Sequence, residues 1–188
     1  LHASGFIEHE EWQKACVLSG NERALTLADC RIRIGRIETS QLAAQCLTAL
    51  QCLDQPPDTR WAVRSSATNE DAAHLSFAGL YRTRLGVALS DIEAALKDLW
   101  ASLWEERVVS YQTRQGNHMA PRMAVVIQLM VEAQSAGVAY SIHPVTGRSN
   151  QVTINAVLGL AAPLVDGTVA PDQYVVEMTD TGQPTRVR

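Results

Sequence analysis

The sequence predicts an α+β fold in which a mainly antiparallel sheet is flanked by helices. Apolar residues recur at helical spacing through most of the first sixty positions, whereas short β-branched or aromatic segments bounded by turn residues dominate after residue 120. The helical crossovers that parallel strands need are missing between those later segments. Helices first, and strands joined by short loops afterwards, are typical of an α+β arrangement.

The composition fits a folded chain of one domain or two small lobes. The 188 residues are 46% hydrophobic and 19% charged, which is enough to bury a sizeable core. The net charge of -4 removes any global attraction to nucleic acid or to anionic membranes, so we expect neither partner. No long apolar run or charged leader is visible, so we predict neither a membrane span nor a signal peptide.

The four cysteines are interpreted as reduced thiols. Cys16, Cys30, Cys46 and Cys52 form no CxxC pair, and no histidine follows at a zinc-finger interval. Reduced thiols are favoured over disulfides or a metal site and predict a cytoplasmic protein.

Three helices are predicted in the first sixty residues. They are "HEEWQKACVL" from residue 9, "ERALTLAD" from Glu22 and "TSQLAAQCLTALQCL" from Thr39, and the two prolines of "DQPPDT" end the third. We therefore divide the chain into a helical portion, residues 1–60, which would be a truncated lobe, and a second portion, residues 61–188.

The second portion begins with strands and a long helix. "WAVR" from Trp61 and the alternating "LYRTRLGV" from Leu80 are predicted strands. Residues 90–116 are predicted to form one helix that opens with a reciprocal capping pair, Ser90 and Glu93, and ends at Gly116. Four later strands are expected to form one sheet: residues 123–131, 137–142, 151–157 and 173–178.

The stretch "WAVRSSATNEDAAHLSFAG" is the candidate binding segment. Arg64 ends the predicted strand, and Ser65, Ser66 and two more small residues follow, which would leave backbone amides and hydroxyls around a fixed positive charge. That combination suits phosphate, because a guanidinium can hold two phosphate oxygens at once. The alternative is a structural ion pair between Arg64 and Glu70 or Asp71, and the residues alone leave both interpretations open.

Several blocks resemble one protein family. "VRSSATNEDAAHLSFAGLYRTRLGV" is similar to the nucleotide-binding motif of phosphoenolpyruvate synthases and pyruvate phosphate dikinases, which are ATP-grasp phosphotransferases. "VVIQLMV", "SAGVAYSIHPVTG" and "GLAAPLVDGTVAPDQYVV" resemble later blocks of the same family in the same order. The matched blocks cover residues 61 to 178, and residues 61–188 therefore look like an ATP-grasp ATP-binding portion.

The resemblance implies roles for individual residues. Arg64, the one candidate catalytic residue, would contact the ATP phosphates. The remaining implied positions are Ser65 and Ser66 beside it, Gly79 and Thr83 on the phosphate side of the cleft, and Gln128, Met130 and Val131 at the strand that receives the adenine. For Met130, plain core packing is the alternative.

The chain also departs from the family pattern. Ala161 and Ala162 stand where the family has Gly-Glu, and His143 replaces an asparagine or aspartate before a proline. We interpret His143 as a hydrogen-bonded structural residue. The resemblance implies ATP and Mg²⁺ as cofactors. The family's glycine-rich lysine loop and its metal-binding acidic pair have no match here, so we expect the metal ligands to lie outside this chain.

The resulting hypothesis is an ATP-binding part of a phosphoenolpyruvate synthase-like enzyme, expected to be inactive alone. In the family, the phosphoryl group passes from ATP to a histidine on a swivelling domain and then to an acceptor such as pyruvate, held by another domain; both would be partners. One alternative is a related rifampin-type antibiotic phosphotransferase or biosynthetic ligase. Another is a degenerate module that binds nucleotide weakly or serves a regulatory role, which Ala161 and Ala162 favour.

Overall fold

A computed structural model of the chain describes residues 9–68, 80–116 and 119–188. The chain divides into two compact units, Leu1–Met130 and Val131–Arg188. The division into residues 1–60 and 61–188 stays a prediction. Within the described parts, no helix is both long and apolar enough to cross a bilayer.

The first unit contains five α-helices and a three-stranded antiparallel sheet among its described residues. The helices are α1 (His9–Val17), α2 (Gly20–Gly35), α3 (Ser40–Gln51), α4 (Ile92–Ser102) and α5 (Glu106–Arg114), and the strands are β1 (Trp61–Ala67), β2 (Thr83–Val87) and β3 (Met123–Leu129). The strand order is β2-β1-β3, so β1 pairs on both sides. The three helices expected in the first sixty residues are confirmed.

The core of the first unit lies between the helices and one face of this sheet. In α4, Ile92, Leu96 and Leu99 are fully buried at helical spacing, as the sequence pattern predicts. They belong to the same buried cluster as Trp61 and Val63 of β1. The odd-numbered face of β1 is therefore the core face, and its even-numbered residues point to the other side.

The helix expected over residues 90–116 is instead two helices. A short 3₁₀ turn, Leu89–Asp91, precedes α4, and Glu105 adopts an extended backbone conformation before α5 begins. The carboxylate of Glu105 forms an ion pair with Arg82 at 2.6 Å and accepts a hydrogen bond from Arg107 at 2.8 Å. These ion pairs form at the break, and the helical periodicity of the sequence does not reveal them.

The predicted capping pair does not form either. The hydroxyl of Ser90 donates to the carboxylate of Asp91. Glu93 accepts a hydrogen bond of 2.6 Å from the buried hydroxyl of Thr39, before α3, and pairs with Lys97. The hydrogen bond from Thr39, and then that from Lys97, lowers the pKa of Glu93. Glu93 therefore ties α4 to the start of α3.

The second unit is built around a four-stranded antiparallel sheet. Its elements are β4 (Ser135–Tyr140), β5 (Gln151–Leu158), α6 (Ala162–Val165), β6 (Asp172–Met178) and β7 (Pro184–Val187), and the strand order is β4-β5-β6-β7. The expectation of one sheet for the four later strands is wrong, because β3 pairs with β1 whereas β4 pairs with β5. The α+β class with antiparallel sheets and flanking helices is confirmed.

Candidate functional site

Arg64 lies on the face of the first sheet that is turned away from the helices. Its neighbours on β3 and β2 are set by the register, which places Val126 and Thr83 directly opposite it. We call this surface the open face, and its described residues at the centre are Arg64, Ser66, Thr83, Ala124, Val126 and Gln128. All of them are exposed except Ala124, which is half-buried.

The segment after Arg64 is strand and not loop. β1 continues through Ala67 and pairs with β3 along its whole length. The N–H of Ser65 donates to the carbonyl of Arg82, and that of Thr68 donates to the carbonyl of Arg122. These amides are consumed by backbone pairing, so the expectation that they stay accessible to an anion is wrong.

The two predicted serines point in opposite directions. Successive side chains alternate across a strand, so Ser66 shares the open face with Arg64, whereas Ser65 faces the helices and is half-buried. The structure therefore brings Ser66 and Arg64 together and places the side chain of Ser65 on the other side of the sheet.

Arg64 also reaches Gln128. Its Nη1 donates to Oε1 of Gln128 at 3.4 Å, which is long for a hydrogen bond and therefore weak. Ala62 stands directly opposite Gln128, and its methyl group leaves room for this diagonal contact. The donor groups of Gln128 and most of those of Arg64 make no other hydrogen bond within the described parts of the chain, so they can turn to a ligand.

Thr83 is held opposite Arg64 by contacts on the reverse of its strand. Its two neighbours, Arg82 and Arg84, both bind Asp98 of α4, at 2.9 and 3.2 Å. Gly86, with φ of +68°, lies at the irregularity that interrupts the pairing with β1 between Val63 and Trp61. The edge strand is thus fixed to α4 while Thr83 stays exposed on the open face.

Charge separates the two faces of the sheet. On the helix side, Arg82 and Arg84 are neutralised by Asp98 and Glu105. On the open face, the described residues form no ion pair with Arg64 and include no carboxylate. Glu70 and Asp71, the alternative structural partners, lie outside the described residues, so that alternative stays a prediction.

The open face does not fit a metal ion by itself. Mg²⁺ takes oxygen ligands and usually at least one carboxylate, which the described part of this face does not offer. Elsewhere in the described ranges, no group of three or more His, Cys, Asp or Glu side chains is arranged to hold a metal ion.

The remaining predicted positions fall in different places. The N–H of Met130 donates to the carbonyl of Arg60 at 2.9 Å and extends the β1–β3 pairing by one residue, and Met130 is half-buried. Val131 is 69% exposed and begins the second unit. Gly79 lies outside the described residues.

One member of the open face was missed by sequence reasoning. Val126 is 46% exposed directly opposite Arg64 and offers an apolar surface beside the guanidinium. The alternation of "VVIQLMV" would have identified it, because Val126 and Gln128 are two residues apart and share a face.

In the second unit, His143 is a turn residue. Its Nδ1 accepts the N–H groups of Val145 and Thr146 at 3.2 and 3.3 Å, as an asparagine side chain would in such a turn. Ala161 and Ala162 lie at the start of α6, and their methyl groups add no polar function there.

Comparisons with known proteins agree with the quoted blocks. Residues 38–186 match the family described as "Pyruvate phosphate dikinase, AMP/ATP-binding domain". A phosphoenolpyruvate synthase of Aeropyrum pernix is 36% identical over 190 residues, which cover 94% of this chain and 22% of that protein. A phosphoenolpyruvate synthase of Pyrococcus furiosus and a rifampicin phosphotransferase of a Streptomyces species are each 43% identical over 118 residues, 62% of this chain and 14% of each relative.

The chain therefore spans about a fifth or less of the length of these relatives. The predicted family resemblance is confirmed over the same blocks.

Proposed function

We propose, from the fact that this chain belongs to the family of pyruvate phosphate dikinase AMP/ATP-binding domains, that its open face binds the phosphates of ATP. The observation that carries this proposal is the exposed guanidinium of Arg64, opposite Thr83, within reach of Gln128 and on a surface whose described residues include no carboxylate. A phosphate can accept two N–H groups from the guanidinium and one O–H from the threonine. The amide of Gln128 can donate to and accept from the base or ribose.

The larger activity is a phosphoryl transfer of the phosphoenolpyruvate synthase type. In our proposal, the ATP-grasp portion presents ATP to a histidine on a swivelling domain, and another domain holds the acceptor, such as pyruvate. The Mg²⁺ that such transfer uses would be held by residues other than those described on the open face. Binding and orientation of the phosphates are the contribution of this chain.

A rifamycin-type acceptor is the second candidate. The specific observation in its favour is the rifampicin phosphotransferase among the relatives, which is as similar to this chain as the Pyrococcus synthase is. Both candidates make the same use of Arg64, so the nucleotide site can be tested without knowing the acceptor.

The test is a calorimetric titration of ATP into the wild-type chain and into Arg64→Ala. We expect the dissociation constant to rise about tenfold to hundredfold, because hydrogen bonds to charged groups contribute about 1.5–3 kcal/mol. Arg36→Ala is the matched control, since Arg36 is an exposed arginine at the end of α2 and does not lie on the open face. Equal affinities for wild type and Arg64→Ala, or no nucleotide binding by the wild type, would contradict the proposal and favour the degenerate module.

A further inference from the structure

Two more arginines belong to the open face, one at each end of the β1–β3 pairing. The carbonyl of Arg60 accepts the N–H of Met130, and the carbonyl of Arg122 accepts the N–H of Thr68, both at 2.9 Å. Each pair continues the strand register by one residue, so alternation places both arginines on the side of Arg64. Both are exposed, and neither forms an ion pair with any described residue.

The two ends of this face differ in chemistry. Gln128 and Met130 lie towards Arg60, whereas the hydroxyls of Ser66 and Thr68 lie towards Arg122. Hydroxyl donors beside a guanidinium suit phosphate oxygens, and an amide beside a thioether suits a flat polar ring. A nucleotide whose base lies at the Gln128 end would therefore extend its phosphates past Arg64 towards Arg122.

Between Arg64 and Arg122, the described residues of the open face are small. Ser66 and Ala124 stand directly opposite each other there, and both side chains are small. Arg122 precedes Val126, the partner of Arg64, by four residue steps of extended chain, which is about 13 Å of backbone. Two long side chains that start this far apart can converge on neighbouring phosphates.

Arg122 is anchored at its backbone, and its side chain forms no ion pair or hydrogen bond with a described residue. Its N–H donates to Oγ1 of Thr68 at 3.3 Å, and the Thr68 hydroxyl keeps its own proton for another acceptor. A guanidinium and a hydroxyl are thus presented side by side at this end of the open face.

We propose that Arg122, with Thr68 beside it, is a second anion contact that binds the terminal phosphates of a nucleoside polyphosphate. The inference rests on the proposed function and adds a determinant of specificity to it. Arg64 would bind any phosphorylated nucleotide, whereas Arg122 would distinguish a triphosphate or diphosphate from a monophosphate.

The experiment titrates ATP, ADP and AMP into the wild-type chain, Arg122→Ala, Arg122→Lys and Arg60→Ala. We expect Arg122→Ala to weaken ATP binding about tenfold or more and AMP binding less than about twofold, because only the polyphosphate reaches this contact. Arg122→Lys should fall between, since lysine keeps the charge but not the two-pronged geometry. Arg60→Ala, the matched control at the other end, should change all three affinities alike. Unchanged melting temperatures would show that the exposed substitutions leave the fold intact.

Two results would overturn the inference: wild-type affinity for ATP in Arg122→Ala, or an equal loss for ATP, ADP and AMP. If Arg64→Ala weakens ATP binding while Arg122→Ala does not, only the second contact fails. If neither substitution matters, the proposed function fails with it.

Discussion

Asp98 contributes to the stability of the first unit and also fixes the position of Thr83 on the open face. Its carboxylate binds Arg82 and Arg84, the residues on either side of Thr83. Asp98→Asn keeps the side-chain volume and removes the charge. The side chains are 31%, 44% and 56% exposed for Asp98, Arg82 and Arg84, so solvent screens both pairs partly. At about 0.2–1 kcal/mol for each such pair, we expect a loss of about 0.5–2 kcal/mol.

The assay is thermal unfolding followed by circular dichroism at low and high salt. For a chain of this length, 1 kcal/mol corresponds to about 2–4 °C, so Asp98→Asn should melt about 1–8 °C lower at low salt. The difference should shrink at high salt, because salt screens exposed charges. Asp29→Asn is the control, and it should cost less than about 0.5 kcal/mol. Of the described residues, Asp29 pairs only with Arg33, at 3.8 Å within one helix.

Hydrogen exchange gives a second test of whether Asp98 holds β2 against α4. The amides of β2 should exchange faster in Asp98→Asn, because an edge strand that is released from α4 opens more often. Equal melting shifts for Asp98→Asn and Asp29→Asn, or a shift that salt does not change, would refute the idea that this carboxylate holds β2.

Two further predictions concern other parts of the chain. Gly137→Ala should destabilise the second unit by about 1–3 kcal/mol, because an added Cβ would overlap the backbone carbonyl oxygen of Asn155 in the paired strand. Ala139→Ser on the same strand is the control. Equal chemical-denaturation midpoints for the two variants would contradict the reasoning. Burial, followed by the charge of Glu11, raises the pKa of Cys30 to about 11, so its thiol stays protonated in the fold at pH 8 and should be alkylated at least about tenfold more slowly than the exposed Cys52. The contribution of this thiol to the free energy of unfolding should be full below about pH 8.5 and lost as pH rises through 11, so the stability of Cys30→Ala should fall less at alkaline pH. Similar alkylation rates for the peptides that contain Cys30 and Cys52, measured by mass spectrometry, would contradict the prediction.

Local sequence patterns predicted the helices and strands better than they predicted which strands pair with each other. The spacing of Ile92, Leu96 and Leu99 identified α4, because one buried stripe suffices to define a helix. Strand-forming segments carry no comparable signal about pairing, and the division of the later strands between two sheets was therefore missed. The break at Glu105 coincides with its ion pairs to Arg82 and Arg107. Arg82 is distant in sequence, and Arg107 is only two residues away, so the helical spacing of apolar residues reveals neither contact.

At the candidate site too, local sequence did not reveal the strand pairing or the directions of the side chains. Ser65, Ser66 and Thr68 are typical of a loop, but β1 lies between two partners and backbone pairing extends it through this polar stretch. The residue chemistry and the motif resemblance both singled out Arg64 as a candidate, and only the register revealed that Ser65 points away from it while Val126 and Thr83 lie beside it.

Under the proposed function, the two faces of this sheet separate stability from binding. Guanidiniums on the helix side are satisfied by carboxylates and contribute to the fold, whereas Arg64 and Arg122 gain no comparable partner among the described residues. A surface arginine without a partner adds little to stability, so contacts among the described residues do not explain why two such arginines share one face. The anion that we propose along that face would explain it. Substitution of Asp98 should therefore lower the melting temperature, whereas substitution of Arg64 or Arg122 should weaken nucleotide binding with little effect on the melting temperature.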